Sequence, residues 1–311
     1  MVKRRRGSAG SSRGKAKNNT VLHLLEIASP KGIRQAKKIS NDLSNYHWNQ
    51  YSELARQRSL IQEQLQQALI QPSVCYEFAN WQRAVKYKYG LHPLSTVGSL
   101  SFIGGRFNTG TGVNSEVPYF PALYLAQNKD TSLQEHLGQE PNKLLSPREV
   151  ALTNAASETI VSVSGKLDKV FDLTKEAPLV SFVNLIKNFE LSSDVQAFAK
   201  RLGLSASQII KTPEVLLAAL LEPNWRNCPT NYDVPSNSQI FGHLVYLSGI
   251  EGILYPSKFT GDLCLVVFPK NFVGTDSFIM LDDKPPHEKV PTKIDGITWR
   301  LTELEAKEII C

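Results

Sequence analysis

From about residue 73 onward the sequence breaks into short runs rich in Val, Ile, Leu, Phe and Tyr, separated by Gly, Pro and Asn and interleaved with helical patterns. No other feature constrains the fold as much. Runs of that length form strands, and strands interleaved with helices in one stretch of chain form a mixed structure around a shared core. Residues 122–126, 159–163, 169–173, 252–255 and 263–268 read as strands, and 132–137, 193–202, 213–221 and 238–248 read as helices. The expected class is α+β, with a mixed β-sheet core and flanking helices.

The region in front differs. Residues 52–70 place Leu54, Ile61, Leu65, Ala68 and Leu69 near helical spacing among Gln, Arg and Glu, and Pro72 stops the pattern. Residues 35–43 are polar and suit a helix, and 21–27 form a short apolar stretch. The organisation expected is a disordered basic leader over 1–20, a helical N-terminal extension over 21–72 and one α+β domain over 73–311.

The net charge of +6 is misleading until it is located: residues 1–20 hold seven Lys or Arg and no acid, and without them the chain is near −1. The basic pI therefore describes the leader. The folded body lacks the field of a nucleic-acid-binding surface, so contact with nucleic acid is expected through the leader or not at all. The four cysteines, Cys75, Cys228, Cys264 and Cys311, form no CxxC pair, and with the scattered histidines they offer no zinc spacing, so no metal is expected. No apolar run is long enough to span a bilayer and no signal core follows Lys3 to Arg6, so a cytoplasmic protein is expected.

Three clusters carry residues suited to chemistry. The first is Gly104, Gly105, Arg106, Phe107 and Asn108. Adjacent glycines let backbone approach a ligand closely, and an arginine beside them can offer a phosphate two parallel hydrogen bonds. It is neither a Walker loop nor a dinucleotide fingerprint, and on these residues alone a tight turn with a surface arginine is the more common reading. The second is a strand, turn and helix over 119–137, with Asp130 or Thr131 as N-cap, which sends out Tyr124 from the strand and Glu135 from the helix. In the third, Pro256 ends a short strand and leaves Ser257 at its mouth. With no G-x-S-x-G elbow, a serine hydrolase is set aside.

In this order the three clusters resemble the RES domain family, named for a shared arginine, glutamate and serine. The resemblance runs over about residues 95–270 and rests on Gly104 to Asn108, on Ala122 to Ala126 with Glu135, and on Gly252 to Ser257. It implies an ADP-ribosyltransferase-like fold and an NAD-degrading enzyme that releases nicotinamide by phosphorolysis or hydrolysis. NAD would be substrate, not cofactor, with inorganic phosphate as a co-substrate in the case of phosphorolysis. It further implies a toxin held by an antitoxin protein. Carried over by position, Arg106, Tyr124, Glu135 and Ser257 form the site. Arg106 would bind pyrophosphate or phosphate, Tyr124 border the nicotinamide, Glu135 stabilise the ribosyl cation, and Ser257 fix a phosphate or ribose oxygen. Asn108 would support the bound substrate from behind.

The residue types suit that chemistry independently. Nicotinamide in NAD is a cationic pyridinium that departs neutral, so one carboxylate suffices where a sugar alkoxide needs two. Departures from the family pattern are the front extension, added sequence over 174–240, Phe107 where tryptophan is common, and the polar stretch 109–118, which reads as either a lid or an inert loop. The competing functions are a mono-ADP-ribosyltransferase with a protein acceptor and a non-catalytic nucleic-acid-binding protein that uses the leader.

Overall fold

The computed structural model describes residues 29–137, 158–204, 209–285 and 287–303, so the basic leader, the apolar stretch 21–27 and Cys311 lie outside the described residues. The chain divides into two compact units, residues 1–42 and 43–311. Of the first, the described part is Ser29 and the opening turns of helix α1 (Pro30–Leu60), where the Ser29 hydroxyl accepts the Gly32 N–H at 3.1 Å.

The single helix expected over 52–70 is two helices. The Ser59 hydroxyl bonds back to the Arg56 carbonyl, Ile61 leaves the helical ladder at φ −124°, and α2 (Gln62–Ile70) restarts beyond it. The restart turns Leu65 and Leu69 fully into the core. Residue Tyr46 of α1 is buried with Leu191, Val195 and Ala199, the last two on a later helix.

The remainder is α+β. Its sheet strands are β1 (Val74–Lys86), β4 (Leu123–Ala126), β5 (Glu158–Asp172), β6 (Gly252–Pro256), β7 (Leu263–Val267), β8 (Phe278–Leu281) and β9 (Lys293–Asp295), with a small ribbon formed by β2 (Gly104–Gly105) and β3 (Asn108–Thr109). The helices between are α3 (Lys129–Leu137), α4 (Val180–Ile186), α5 (Ser193–Arg201), α6 (Pro213–Leu220), α7 (Asn227–Tyr232) and α8 (Asn237–Leu247).

Strand order is β1-β4-β7-β6-β5-β8-β9, and β1 also pairs with β5. Hydrogen-bonded neighbours thus close into the circuit β1-β4-β7-β6-β5, with β8 and β9 appended along β5. The β5–β6 pair is parallel (Val170↔Gly252) and its neighbours are antiparallel, so the sheet is mixed. Two strands read separately over 159–163 and 169–173 are the single long β5. Its partner β1 is bulged between Phe78 and Trp81, where Asn80 takes φ 57°, a conformation Asn tolerates better than most residues.

Alternation along the central strands divides two cores. Leu125, Leu254, Leu265 and Val267 point to the apolar cluster inside the circuit, with Trp81 and Val163. Tyr255, Cys264 and Val266 point the other way, to a cluster covered by α2, α6 and α8. The candidate site residues described next lie at the edge of this second, helix-covered face.

Helix α8 fixes that edge by close approach. A Cβ on Gly242 would stand 2.0 Å from the Phe107 carbonyl oxygen, so the helix rests directly on the backbone beside Arg106. In a free helix Gly→Ala adds roughly 1 kcal/mol of stability. Here Gly242→Ala is expected to cost about 1–3 kcal/mol through overpacking, read as a lower denaturant midpoint. A stabilised variant would contradict this packing.

Candidate active site

The first cluster folds as a turn between β2 and β3 that aims Arg106 inward. Gly104 adopts φ +84°, which favours glycine. Gly105 is required by space, since a Cβ there would lie 2.4 Å from the Tyr124 hydroxyl oxygen. That hydroxyl accepts the Phe107 N–H at 3.0 Å and donates to Asn108 Oδ1 at 2.8 Å. Burial raises its pKa, so it stays a neutral donor.

Asn108 is fully buried, and its amide is consumed by the turn. Oδ1 accepts the Gly105 N–H (3.0 Å) and the Tyr124 hydroxyl, while Nδ2 donates to the carbonyls of Ser99 (2.9 Å) and Phe120 (3.0 Å). The structure therefore places Asn108 beneath the turn and away from the cavity wall. Phe107 is fully buried too, its ring 4.9 Å from that of Tyr255, edge to face.

Arg106 is 5% exposed. Its Nη1 donates to the carbonyls of Leu220 (3.4 Å) and Glu222 (3.1 Å), and its buried Nη2 has no partner among the described residues. Carbonyls fix the guanidinium in place without neutralising it, so its charge and one donor remain for a ligand.

Glu135 and Ser257 meet directly: the serine hydroxyl donates to Glu135 Oε1 at 2.7 Å and accepts the Phe259 N–H at 3.1 Å. Their supports are linked. Asp262, in the loop after Ser257, accepts the Asn128 side chain at 2.9 Å and the Thr131 hydroxyl at 2.8 Å, both at the start of α3. Thr131 and Glu135 are four residues apart and share one face of that helix. The helix cap is Asn128, whose Oδ1 accepts the Thr131 N–H at 2.9 Å, instead of Asp130 or Thr131.

Arg106, Tyr124 and Glu135 line one cavity of 520 Å³. Ser257, 4% exposed, stands behind the Glu135 carboxylate instead of on the wall. Of the 109–118 stretch, no residue lines the cavity. That stretch is bound to the segment before the turn by Thr111 N–H to Leu100 O (2.9 Å) and Gly112 N–H to Phe102 O (2.6 Å). In this conformation it buttresses the turn.

Three participants were not singled out in the sequence. Arg83, from β1, lines the same cavity, and burial lowers its pKa to about 10. Its guanidinium donates to the carbonyls of Pro93 (2.7 Å), Tyr124 (3.2 Å) and Ser95 (2.6 Å). Gln239 is buried beneath the turn, its Nε2 bonding the carbonyls of Ile103 (2.7 Å) and Asn108 (3.1 Å). Arg226 lines the cavity from the added sequence over 174–240. The sequence signals were a basic residue in a strand, the capping box Ser236 to Gln239, and a Trp-Arg pair.

His136 also lines the cavity, its Nε2 2.8 Å from Glu158 Oε2. Desolvation and the charges of Arg83 and Lys86 lower its pKa to about 4, so the imidazole is neutral near pH 7. Among the described residues, no three His, Cys, Asp or Glu side chains are grouped to hold a metal ion. Cys75, Cys228 and Cys264 are free thiols, and no described helix is long and apolar enough to cross a membrane.

A search of curated proteins finds no match. Among solved structures, the chain is similar to one chain of the M. tuberculosis MbcT-MbcA toxin-antitoxin complex, at 16% identity and a TM-score of 0.35, over 77% of this chain and 97% of that one. The sequence model of the RES domain matches residues 80–285, which is most of the chain and includes Arg83, Arg106, Tyr124, Glu135, Arg226 and Ser257. This protein belongs to the RES domain family.

Proposed function

We propose that the protein is an NAD-degrading enzyme that breaks the bond between nicotinamide and ribose, passing the ADP-ribosyl group to water or inorganic phosphate. The observation that carries this reading is one cavity with a buried, half-satisfied guanidinium and a serine-oriented carboxylate on its wall. Those groups suit the two charged regions of NAD: an anionic pyrophosphate, and a ribose that turns cationic as nicotinamide departs.

In this reading Arg106 binds the pyrophosphate through Nη2. The Tyr124 ring borders the nicotinamide while its hydroxyl stays in the turn. Ser257 holds Glu135 Oε1, and Oε2 faces the ribose hydroxyls. The bond from ribose C1 to the nicotinamide nitrogen breaks with its electron pair leaving on nicotinamide, which departs neutral. Glu135 stabilises the resulting oxocarbenium charge, and an oxygen of water or phosphate then bonds C1. Water gives up a proton to solvent in that step. Phosphate transfers as the anion and leaves a sugar phosphate. Such an enzyme in the cytoplasm depletes NAD, and a cognate antitoxin is the partner that the family resemblance implies. An ADP-ribosyltransferase-like arrangement of the site belongs to the same reading.

Purified protein incubated with NAD, with and without phosphate, is expected to release nicotinamide together with ADP-ribose or its phosphate, followed by chromatography and mass. Transfer of labelled ADP-ribose to a protein, with no free ribosyl product, would instead favour the transferase. Glu135→Gln is expected to lower kcat by roughly 100-fold or more, as for the loss of one preorganised electrostatic group. Ser257→Ala, which removes only the orienting hydrogen bond, is expected to lower it about tenfold. Full turnover in Glu135→Gln would overturn the assignment.

A further inference from the structure

Segment 220–226 stands between two parts of the site. Its carbonyls at Leu220 and Glu222 hold Arg106 from behind, and its Pro223 carbonyl accepts the Lys258 ammonium at 3.0 Å, next to Ser257. Four residues past Glu222 the same segment presents Arg226 to the cavity. The buried Trp225 ring supports that guanidinium, 4.6 Å away.

Charge on the cavity wall is unbalanced. Arg83, Lys86, Lys88, Arg106 and Arg226 line it, with Glu135 as the one carboxylate among the described lining residues. Neither Arg106 nor Arg226 forms an ion pair with a carboxylate among the described residues. Desolvation lowers the pKa of Arg226, and the charge of Arg106 lowers it further while Glu135 opposes both. Two guanidiniums within range of one another are unfavourable alone and become favourable when an anion bridges them.

We propose that Arg226 is the second jaw of a diphosphate clamp whose first jaw is Arg106, so that the site selects two linked phosphates over one. Arg106 offers Nη2 to one phosphate, the planar fork of Arg226 matches the other, and Trp225 pre-orients that fork. A single segment sets the distance between jaws, because it both anchors Arg106 and carries Arg226. The clamp rests on the proposed NAD reading for the identity of the substrate, and its charge selectivity is testable without turnover.

Binding of ADP and AMP to the full chain by titration calorimetry isolates the second phosphate. The wild-type protein is expected to bind ADP about tenfold tighter than AMP or better. Arg226→Ala should remove most of that advantage, and Arg226→Lys should restore only part of it. Arg226 is exposed, and an unchanged melting temperature checks that the variants fold. An ADP advantage that survives in Arg226→Ala, or none in the wild type, overturns the clamp. If NAD is not cleaved while the advantage is present and lost in Arg226→Ala, the enzyme reading fails and the clamp stands. If NAD is cleaved while the advantage survives in Arg226→Ala, only the clamp fails.

Discussion

The Asn108 side chain fastens the parts that everything else relies on. It accepts from the Gly105 N–H and the Tyr124 hydroxyl and donates to the carbonyls of Ser99 and Phe120, so one buried amide joins β4 to the turn carrying Arg106. Gln239 closes the turn from the other side, and α8 leans on it through Gly242. A buried polar network of this kind is fully satisfied or it is a liability. Here the turn has little freedom left, and Arg106 is aimed before any ligand arrives.

The same preference for backbone partners recurs among the buried cations. Arg83 and Arg106 are both held by main-chain carbonyls, which orient a guanidinium and leave its charge uncancelled. Carboxylate partners would have neutralised the cavity. Glu135, the one carboxylate among the described lining residues, is instead oriented by a neutral hydroxyl, that of Ser257, so positive charge and a directed anion share one cavity. Low dielectric strengthens each of these fields over its value in water.

Much of this was legible in the sequence, and the gaps have physical causes. The strands at 122–126, 252–255 and 263–268 are found within a residue or two, because buried central strands are continuous apolar runs. β1 was not named as a strand: Asn80 and a register shift interrupt its alternation, and with it Arg83 passed unnoticed. β5 read as two strands because the polar residues around Gly165 mask a continuous ladder. Arg106, Tyr124 and Glu135 stand together by resemblance, which does not show that the Tyr124 hydroxyl and the Asn108 amide are spent on the turn. Arg226 was out of reach, since it comes to the cavity only through the path of segment 220–226.

A crystal structure of the protein with ADP-ribose measures the central claim most directly. The account predicts a phosphate oxygen within hydrogen-bonding distance of Arg106 Nη2 and the hydroxyls of the terminal ribose on the Glu135 carboxylate. ADP-ribose bound elsewhere on the molecule, or lying in this cavity with both groups untouched, would contradict it.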